Sequence, residues 1–466
     1  MPGRPSDRRK KDFVVINVVK QAIMLPRNVL IIGGGWAGLS AAIHLVDQGL
    51  PVTVIEAAPQ LGGRARTIFF SDKKVDNGQH LMIGAYHRVK TIVEKINLSS
   101  DLFLTTPLRL HLYSTYKHLK FNLPNLRWPL NLLIGLIFTN SFTLSERWAL
   151  LKFCRKLLIQ RFETTSEMSV SDFLYRHQLP DRIIRDFFDP LCLAALSTPP
   201  AYASAEVFLA VLQDTFAGHT DNTKLLFARK DLSDLFGLPA QNYIEAHGGK
   251  VLTNTRALKF MIENNRIKGV GTSNGWMHSD HVILATSFQH ARLILEQHDI
   301  SKPIAERLQD LKSEQITTVY LQYDHALCLE LPMIGMLGTW SQWVFDRGFA
   351  NQPGLFAVVM TGIGPHMEVD NQTLITQISR ELNAQFPKIP LQANAARVIR
   401  EKRAAFSCRV GVNTIRPTIK TELPGLWLAG DYTQTGYPAS LEGAVKSGQQ
   451  CAEQLLKVLN ERNSMV

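Results

Sequence analysis

Three glycines near the beginning of the sequence, Gly33, Gly35 and Gly38, have the spacing G-x-G-x-x-G. They follow an apolar segment, residues 29 to 32, and residues 37 to 48 carry apolar side chains at helical spacing. A turn without Cβ atoms lets the backbone approach a pyrophosphate, whose negative charge is stabilised by the N-terminus of the following helix. The pattern therefore predicts a phosphate-binding turn between a strand and a helix.

An acidic residue follows at the position where such a site binds ribose. Glu56 closes the next apolar segment, residues 52 to 56, and stands eighteen residues after Gly38. A carboxylate at this place accepts hydrogen bonds from ribose hydroxyls. Trp36 and Ala37 lie in the glycine turn and are assigned to the same site. Because strand, turn, helix and acid agree, the segment indicates a dinucleotide-binding unit rather than a tight turn alone.

A second glycine turn favours a flavin over a nicotinamide. The segment Gly62-Gly63-Arg64, with Arg66 two positions later, offers backbone N–H donors and guanidinium groups to further phosphate or to the flavin edge. We therefore expect FAD, bound in part by Gly63, Arg64 and Arg66. A later glycine-rich segment, residues 269 to 275, lacks the spacing and the following helix. No second dinucleotide site is expected, so electrons should come from a diffusible donor.

Near the C-terminal end, Gly430 and Asp431 follow a short apolar segment, residues 426 to 429, and a helical pattern begins after Pro438. A carboxylate after a strand can hold the ribityl-phosphate region, and we expect this role for Asp431. The free N–H groups of the following helix can stabilise negative charge on a reduced flavin ring. The residues expected to supply that backbone are Ser440, Leu441, Glu442 and Gly443.

Between these blocks, residues 246 to 286 contain successive strand patterns with a hairpin turn at Asn264-Asn265. A β-meander inserted into a flavin domain commonly lays one strand beside the adenine. We therefore expect Ala257 to contact that part of the cofactor.

The three blocks, in this order, resemble the superfamily of flavin-containing amine oxidases and phytoene desaturases. Within it, the words "DNGQHLMIGAY", residues 76 to 86, and "GDYTQTGYPASLEGAVKSG", residues 430 to 448, are similar to the squalene-associated, FAD-dependent desaturase-like family, the hydroxysqualene dehydroxylases. The resemblance covers roughly residues 28 to 460. It implies an FAD enzyme that reduces an allylic C30 alcohol, hydroxysqualene, to squalene in hopanoid biosynthesis.

The same resemblance implies a role for the first of these words. Gly78 would allow close approach to the flavin ring, Gln79 and His80 would face the ring or the substrate, and residues 81 to 83 would line the start of a hydrocarbon tunnel. Hydroxide leaves poorly unless it is protonated, so an acid is needed, and His80 is the first candidate. Tyr86 and Asp76 are weaker candidates. Alternatively, His80 is a structural histidine bonded to the backbone or to the flavin pyrimidine oxygens.

Composition narrows the possible partners. The chain has 466 residues and a formal net charge of +11. Residues 1 to 27 hold seven Lys or Arg against two Asp, so +5 of that charge lies there. The rest is only mildly basic, which argues against a nucleic-acid partner and leaves an anionic membrane surface open. The five cysteines lack metal-binding or disulfide spacing, which favours a reducing cytoplasm and no metal site.

We predict an α/β fold with a Rossmann-like, discontinuous FAD-binding domain, a β-meander insertion and a mixed, largely helical substrate-binding domain. Residues 1 to 24 are expected to be a disordered extension. The FAD domain is assigned to residues 25–100, 225–290 and 401–466, and the substrate domain to residues 101–224 and 291–400. No apolar run is long enough to span a membrane. The most apolar stretch, residues 125 to 140, is either a core helix or a segment that dips into a membrane at a tunnel mouth.

Three other activities remain open at this stage. The same flavin and tunnel could accept hydride and desaturate a polyisoprenoid such as phytoene or squalene. An amine oxidase is less favoured because no aromatic pair is marked for a cage around an amine. A protein that binds FAD structurally and carries isoprenoids is the alternative outside the enzymes. We expect hydrophobic isoprenoid substrates and a position in the cytoplasm. Peripheral contact with the inner face of the cell membrane is left open.

Overall fold

A computed structural model of the chain describes residues 28 to 464, except 98, 100, 115 to 117, 128, 140 and 165. The predicted N-terminal extension, residues 1 to 24, lies outside the described residues. The strands, in chain order, are β1 (Val29–Ile32), β2 (Val52–Ile55), β3 (Thr67–Phe70), β4 (Lys73–Asp76), β5 (Met82–Ile83), β6 (Phe103–Thr106), β7 (Arg109–Tyr113), β8 (His118–Asn122), β9 (Leu225–Ala228), β10 (Lys250–Leu252), β11 (Ala257–Glu263), β12 (Arg266–Thr272), β13 (Gly275–His278), β14 (His281–Leu284), β15 (Ser313–Gln322), β16 (Met333–Met336), β17 (Trp343–Asp346), β18 (Leu355–Thr361), β19 (Ala395–Phe406) and β20 (Leu426–Leu428).

The helices lie between these strands and at the C-terminal end. In chain order they are α1 (Trp36–Val46), α2 (His87–Ile96), α3 (Leu130–Phe138), α4 (Leu144–Ile159), α5 (Val170–Arg176), α6 (Asp181–Ile183), α7 (Asp189–Leu196), α8 (Ala205–Phe216), α9 (Leu238–Ala246), α10 (Phe288–Leu295), α11 (Lys302–Asp310), α12 (Asn371–Gln385), α13 (Val412–Ile415) and α14 (Leu441–Ser464). Single π-helical turns, Ile184–Phe188 and Ser233–Gly237, lead into α7 and α9.

A five-stranded parallel sheet holds the two glycine-rich ends of the chain together. Its strand order is β10-β2-β1-β14-β20, so strands from the beginning, middle and end of the sequence pair side by side. Every residue of β1, β2 and β14 is buried, as expected for a parallel sheet covered on both faces. The strands predicted at residues 29 to 32 and 52 to 56 are confirmed.

Helix α1 covers one face of this sheet. It begins at Trp36 and ends at Val46, somewhat earlier than the predicted range of 37 to 48. The end is set by Gly49, whose φ of +72° closes the turn after the helix. Helix α14 packs directly on α1: the Ser40 hydroxyl donates to the Val445 carbonyl at 3.0 Å. The two ends of the chain are therefore joined by helix packing as well as by strand pairing.

A seven-stranded sheet forms much of the remainder, in the order β19-β15-β18-β17-β16-β7-β8. Its neighbours are antiparallel except for β16 and β7, which run parallel. The mixed character predicted for this region is confirmed, but the sheet is larger than the helical patterns indicated. Strand β19 also crosses the expected boundary at residue 400. The division into domains stays a prediction.

The predicted hairpin at Asn264-Asn265 joins β11 to β12, and β13 completes a three-stranded meander. Both asparagines have positive φ, +50° and +54°, as a type I′ turn requires. The meander is therefore formed as the sequence pattern predicts.

The apolar stretch at residues 125 to 140 contains helix α3, and Trp128 within it lies outside the described residues. The Cβ position of Gly135 would lie 2.9 Å from a methyl of Leu123, so α3 packs closely beside β8. None of the helices in the described part of the chain is long and apolar enough to cross a bilayer.

Candidate functional site

A cavity of about 690 Å³ opens at the carboxyl ends of the parallel strands. Gly33, Glu56 and Ala285, which directly follow β1, β2 and β14, line it, and Gly430 follows β20 at the same edge. Ligands of open α/β sheets bind at this edge, because the helix N-termini and loops converge there. The cavity is thus built mainly from the segments that the sequence singled out.

The glycines of the first turn have two different functions. A Cβ on Gly33 would lie 2.7 Å from the Ala285 carbonyl oxygen, and one on Gly38 would lie 2.0 Å from the Gly33 carbonyl oxygen. These two glycines permit close packing of strand and helix. At Gly35 an added Cβ would meet only the Gly63 Cα, at 4.0 Å, so the space before it is open.

That open space fits a dinucleotide phosphate. Gly35 is the N-cap of α1, and no side chain caps the helix, so its first N–H groups are left for a ligand. Trp36 and Ala37 line the cavity at the same place, whereas Gly38 does not. The turn therefore presents donors and a positive helix end to the cavity, as the sequence pattern predicts.

Glu56 is fixed by the backbone on both sides of the turn. Its Oε2 accepts from the Gly34 N–H at 2.7 Å, and its Oε1 accepts from the Ala58 N–H at 2.8 Å. Each carboxylate oxygen retains a lone pair for a further donor. Glu56 lines the cavity and is therefore placed to accept from ribose hydroxyls.

Arg64 and Asp431 join the second glycine turn to the C-terminal block. Arg64 Nη2 lies 2.7 Å from Asp431 Oδ2, and Arg64 Nη1 donates to the Ala404 carbonyl at 2.9 Å. Arg66 Nη1 donates to the Gly63 carbonyl at 2.7 Å. All of these residues line the cavity. The predicted guanidinium and carboxylate are therefore brought together, bonded to each other across the site.

Of the four residues expected at the start of α14, two line the cavity, Ser440 and Leu441. The Ser440 hydroxyl accepts from the Gly443 N–H at 3.1 Å, and Gly443 itself does not line the cavity. Glu442 turns away and accepts from the N–H groups of Arg88 and Val89, where it caps α2. Burial raises the pKa of Glu442, and those N–H groups oppose the rise. Ala257 lines the cavity, as predicted.

Within the segment Asp76 to His80, the side chains divide between the protein interior and the cavity. Gln79 accepts from Arg347 through Oε1 and donates to the His80 carbonyl through Nε2 at 2.9 Å. Neither Gln79 nor Gly78 lines the cavity. Arg347 is 2% exposed and lies 3.8 Å from the Asp76 carboxylate, so the segment is anchored by a buried cation.

Asp76 is also held from the opposite side. Its Oδ1 accepts from the Leu232 N–H at 2.7 Å, and its carbonyl accepts from the Tyr320 hydroxyl at 2.9 Å. Burial raises the pKa of Asp76 to about 6, although Arg347 and the Leu232 N–H oppose the rise. Asp76 and the other weaker acid candidate, Tyr86, lie outside the cavity lining.

His80 does line the cavity. Its Nδ1 lies 2.7 Å from the Gly78 carbonyl oxygen. A carbonyl oxygen can only accept, so Nδ1 carries the hydrogen and Nε2 is the nitrogen left for the cavity. Burial lowers the pKa of His80, the Gly78 carbonyl opposes this, and the nearby Arg64 charge lowers it further.

Several lining residues were not anticipated. Thr286, Ser287 and His290 follow β14, and the rule that ligands bind beyond the ends of parallel strands would have found the first two. Ser197, Ile316 and Ala405 come from outside the parallel sheet. They carry no motif, because only the tertiary fold brings them to the cavity.

A Rossmann-like sheet with an open glycine turn and a carboxylate at the carboxyl ends of its strands is typical of dinucleotide-dependent oxidoreductases. The chain belongs to the family of flavin containing amine oxidoreductases, whose family model matches residues 36–456. FAD is therefore the cofactor, the protein is an FAD-dependent oxidoreductase, and the predicted α/β fold class is confirmed.

The chain is similar to a hydroxysqualene dehydroxylase of Sinorhizobium fredii (strain NBRC 101917 / NGR234), with 28% identity over 450 residues, covering 94% of this chain and 100% of the relative. It is also similar to a 15-cis-phytoene desaturase of Glycine max, with 25% identity, covering 93% of this chain and 80% of the relative. The solved structure of an oxidoreductase from Methanosarcina mazei shares the fold, with a TM-score of 0.71 and 15% identity over 91% of this chain and 100% of that one. The family resemblance read from the motifs is confirmed.

Proposed function

We propose that the protein reduces hydroxysqualene to squalene. The observation that carries this proposal is the extent of the alignments. The chain covers the whole of the S. fredii hydroxysqualene dehydroxylase, but only four-fifths of the G. max desaturase. The dehydroxylase therefore matches this chain over its full length, whereas one-fifth of the desaturase has no counterpart in the alignment.

The reaction breaks the allylic C–O bond and forms a C–H bond at the same carbon, and the hydroxyl leaves as water once it has gained a proton. When bound in its reduced form, FAD supplies the hydride, which carries both electrons. The protein must therefore bind FAD, place the allylic carbon beside it and provide the proton.

The residues for binding FAD are those that line the cavity. The N-terminus of α1 at Gly35 would hold the pyrophosphate, and Glu56 would accept from the ribose. Arg64 and Asp431, which are bonded to each other, would hold the ribityl-phosphate region and the flavin edge. Each of these groups already has its orientation fixed by backbone or ionic partners, so little reordering is needed when the cofactor binds.

His80 is proposed to provide the proton. The bond from Nδ1 to the Gly78 carbonyl exists in both protonation states, so a second proton can reside only on Nε2, the nitrogen left for the cavity. A lowered pKa makes the imidazolium a stronger acid toward a leaving hydroxide, at the expense of a smaller protonated fraction at neutral pH. In its neutral form, Nε2 can accept from the substrate hydroxyl and position it.

The test is a single turnover without oxygen. The FAD-loaded protein is photoreduced, hydroxysqualene is added, and the flavin spectrum is followed while products are trapped for mass spectrometry. We expect the oxidised flavin band to return as squalene forms. A flavin that stays reduced beside intact hydroxysqualene would refute the proposal.

The opposite redox direction, desaturation of a polyisoprenoid, is supported by the alignment with the G. max phytoene desaturase. Adding phytoene or squalene to the oxidised protein distinguishes the two directions, because a desaturase would bleach the oxidised flavin band. An amine oxidase gains no support from the cavity: among the described residues that line it, Trp36 is the one Phe, Tyr or Trp side chain.

A further inference from the structure

Helices α3 and α4 form a helical hairpin whose outer surface is unusually apolar. Large side chains that other proteins bury are exposed here on consecutive turns. They are Leu130 (55%), Ile137 (55%), Phe138 (78%), Leu144 (81%), Trp148 (61%) and Ile159 (68%), and they define the hairpin patch. Exposed apolar groups of this size on neighbouring elements mark an interaction surface.

The patch residues on α4 lie on one side of the helix. Leu144, Trp148, Lys152, Arg155 and Ile159 are separated by 4, 4, 3 and 4 residues, which places them within about 80° of each other at 100° per residue. All five are exposed, and Lys152 Nζ lies 5.9 Å from the centre of the Trp148 ring. The face therefore combines apolar and basic side chains.

Acidic groups do not balance this basic charge. Residues 125 to 163 contain six Lys or Arg and two acids, Glu146 and the exposed Glu163. Glu146 is buried, and both of its oxygens accept from Arg182 Nη1, at 2.8 and 2.7 Å, so its charge is neutralised inside the protein. The exposed cations of the hairpin are Arg127, Lys152, Arg155, Lys156 and Arg161.

The inner surface of the hairpin is already filled. Leu136, Phe142, Leu150 and Phe153 are buried, and Phe121 and Phe142 both contact Phe187 edge to face. Arg147 donates to the Ile137 and Phe142 carbonyls and so fixes the turn between the helices. The patch is consequently an outward surface, and the folded core does not use it.

We propose that the hairpin patch docks on the surface of an anionic phospholipid bilayer. Trp, Phe and Leu side chains partition into the boundary between headgroups and acyl chains, and lysine and arginine are attracted to anionic headgroups. The nine-residue α3 lies in that boundary and does not cross it. Docking here brings the enzyme to the phase in which a C30 hydrocarbon dissolves, although the inference rests on the hairpin residues and not on the substrate.

The test is co-sedimentation of the full-length, FAD-loaded protein with sucrose-loaded vesicles. Vesicles of phosphatidylcholine alone are compared with vesicles that contain 30 mol% phosphatidylglycerol, at roughly 50 and 500 mM salt. We expect binding to the anionic vesicles, weakened by the higher salt. The variant Phe138→Ser/Leu144→Ser/Trp148→Ser should lose at least tenfold in affinity. Replacing Lys152, Arg155 and Lys156 by Gln should reduce it about fivefold per charge at low salt.

A matched control is present on the meander. Trp276 is 52% exposed, and Lys259 Nζ lies 5.3 Å from its ring centre, so this pair reproduces the chemistry of Trp148 and Lys152 on another surface. The variant Lys259→Gln/Trp276→Ser should bind vesicles as the parent does. Flavin absorbance and Tm verify that each variant is folded.

Three results would overturn the proposal. One is the absence of binding to the anionic vesicles. Another is an equal loss in the meander variant, which would indicate nonspecific adhesion. The third is a change from dimer to monomer when the patch is altered, which would identify the patch as an interface between two copies. None of these results depends on turnover, so failure here is distinct from failure of the proposed reaction.

Discussion

Arg64 Nη2 and Asp431 Oδ2 lie 2.7 Å apart in the cavity wall, although 367 residues separate them in the chain. The carboxylate is almost completely buried, whereas the guanidinium is one-third exposed. The pair ties the second glycine turn to the segment after β20. It therefore couples the two ends of the FAD site.

The first prediction concerns this pair. Asp431→Asn leaves the Arg64 guanidinium without its counter-ion and loosens the cavity wall, so FAD should bind about tenfold or more weakly. Because Arg64 is partly exposed, the loss of binding free energy should stay below the roughly 3 to 5 kcal/mol that breaking a fully buried ion pair typically costs. Titration of apoprotein with FAD, followed by flavin fluorescence, measures the change. Asp280→Asn, which breaks the exposed Lys268–Asp280 pair at 2.9 Å, should leave FAD affinity unchanged.

The second prediction is the pH dependence of turnover. If protonated His80 delivers the proton, kcat/KM should fall as pH rises through a pKa below 6.5, because burial and Arg64 lower that pKa. His80→Gln should lose about 10²- to 10⁴-fold in rate and should also lose this limb of the profile. His290 is a second histidine that lines the cavity, and the His290→Gln variant should retain the fall of kcat/KM with rising pH. A His80→Gln enzyme with the parental profile would remove His80 from the proposed role.

The third prediction uses the raised pKa of Asp76. Burial moves this pKa from 3.8 to about 6, so between pH 4 and 6 the folded protein holds a proton that the unfolded chain releases. The contribution of Asp76 to the free energy of unfolding therefore decreases as pH rises through this window. From pH 4.5 to 6.5 the decrease is about 2 kcal/mol, and it should be absent in Asp76→Asn. Urea unfolding at the two pH values measures it, and exposed Asp72→Asn is the control.

The fourth prediction tests the contact between α1 and α14. A Cβ on Gly448 would lie 2.1 Å from the Ala37 carbonyl oxygen, which is part of a helix backbone and cannot yield. Gly448→Ala should lower the free energy of unfolding by roughly 1 to 3 kcal/mol. At Gly237, which is also helical, an added Cβ would have its nearest neighbour at 3.6 Å. Gly237→Ala should be neutral or stabilising by about 0.5 to 1 kcal/mol, since it restricts the unfolded chain.

Sequence reasoning places a residue in the cavity when the local backbone alone sets the position of that residue. Gly35 and Glu56 follow strands of the parallel sheet, so a strand–turn–helix pattern is sufficient to position them. Glu442 and Gln79 were assigned to the cofactor, yet each has a partner elsewhere. Helix phase turns Glu442 toward α2, and the buried Arg347 draws Gln79 away from the cavity. Both effects require knowledge of which elements pack together.

The seven-stranded sheet was underestimated for a related reason. All seven residues of β18 are buried, so its sequence is a continuous apolar run without the alternation that identifies a half-exposed strand. A run of this kind does not distinguish a buried strand from a buried helix. Arg347 was not predicted either, because a cation that is 2% exposed leaves no mark in the sequence.

The order of strands in the parallel sheet has a consequence for biosynthesis. On the ribosome, β1 and β2 are made within the first sixty residues, but the neighbouring β20, Asp431 and α14 are made only after residue 425. Until then, the surface of α1 that α14 will cover has no partner on the nascent chain. The wall of the cavity formed by Asp431 and the start of α14 is therefore completed only after the segments that form its opposite wall have been synthesised.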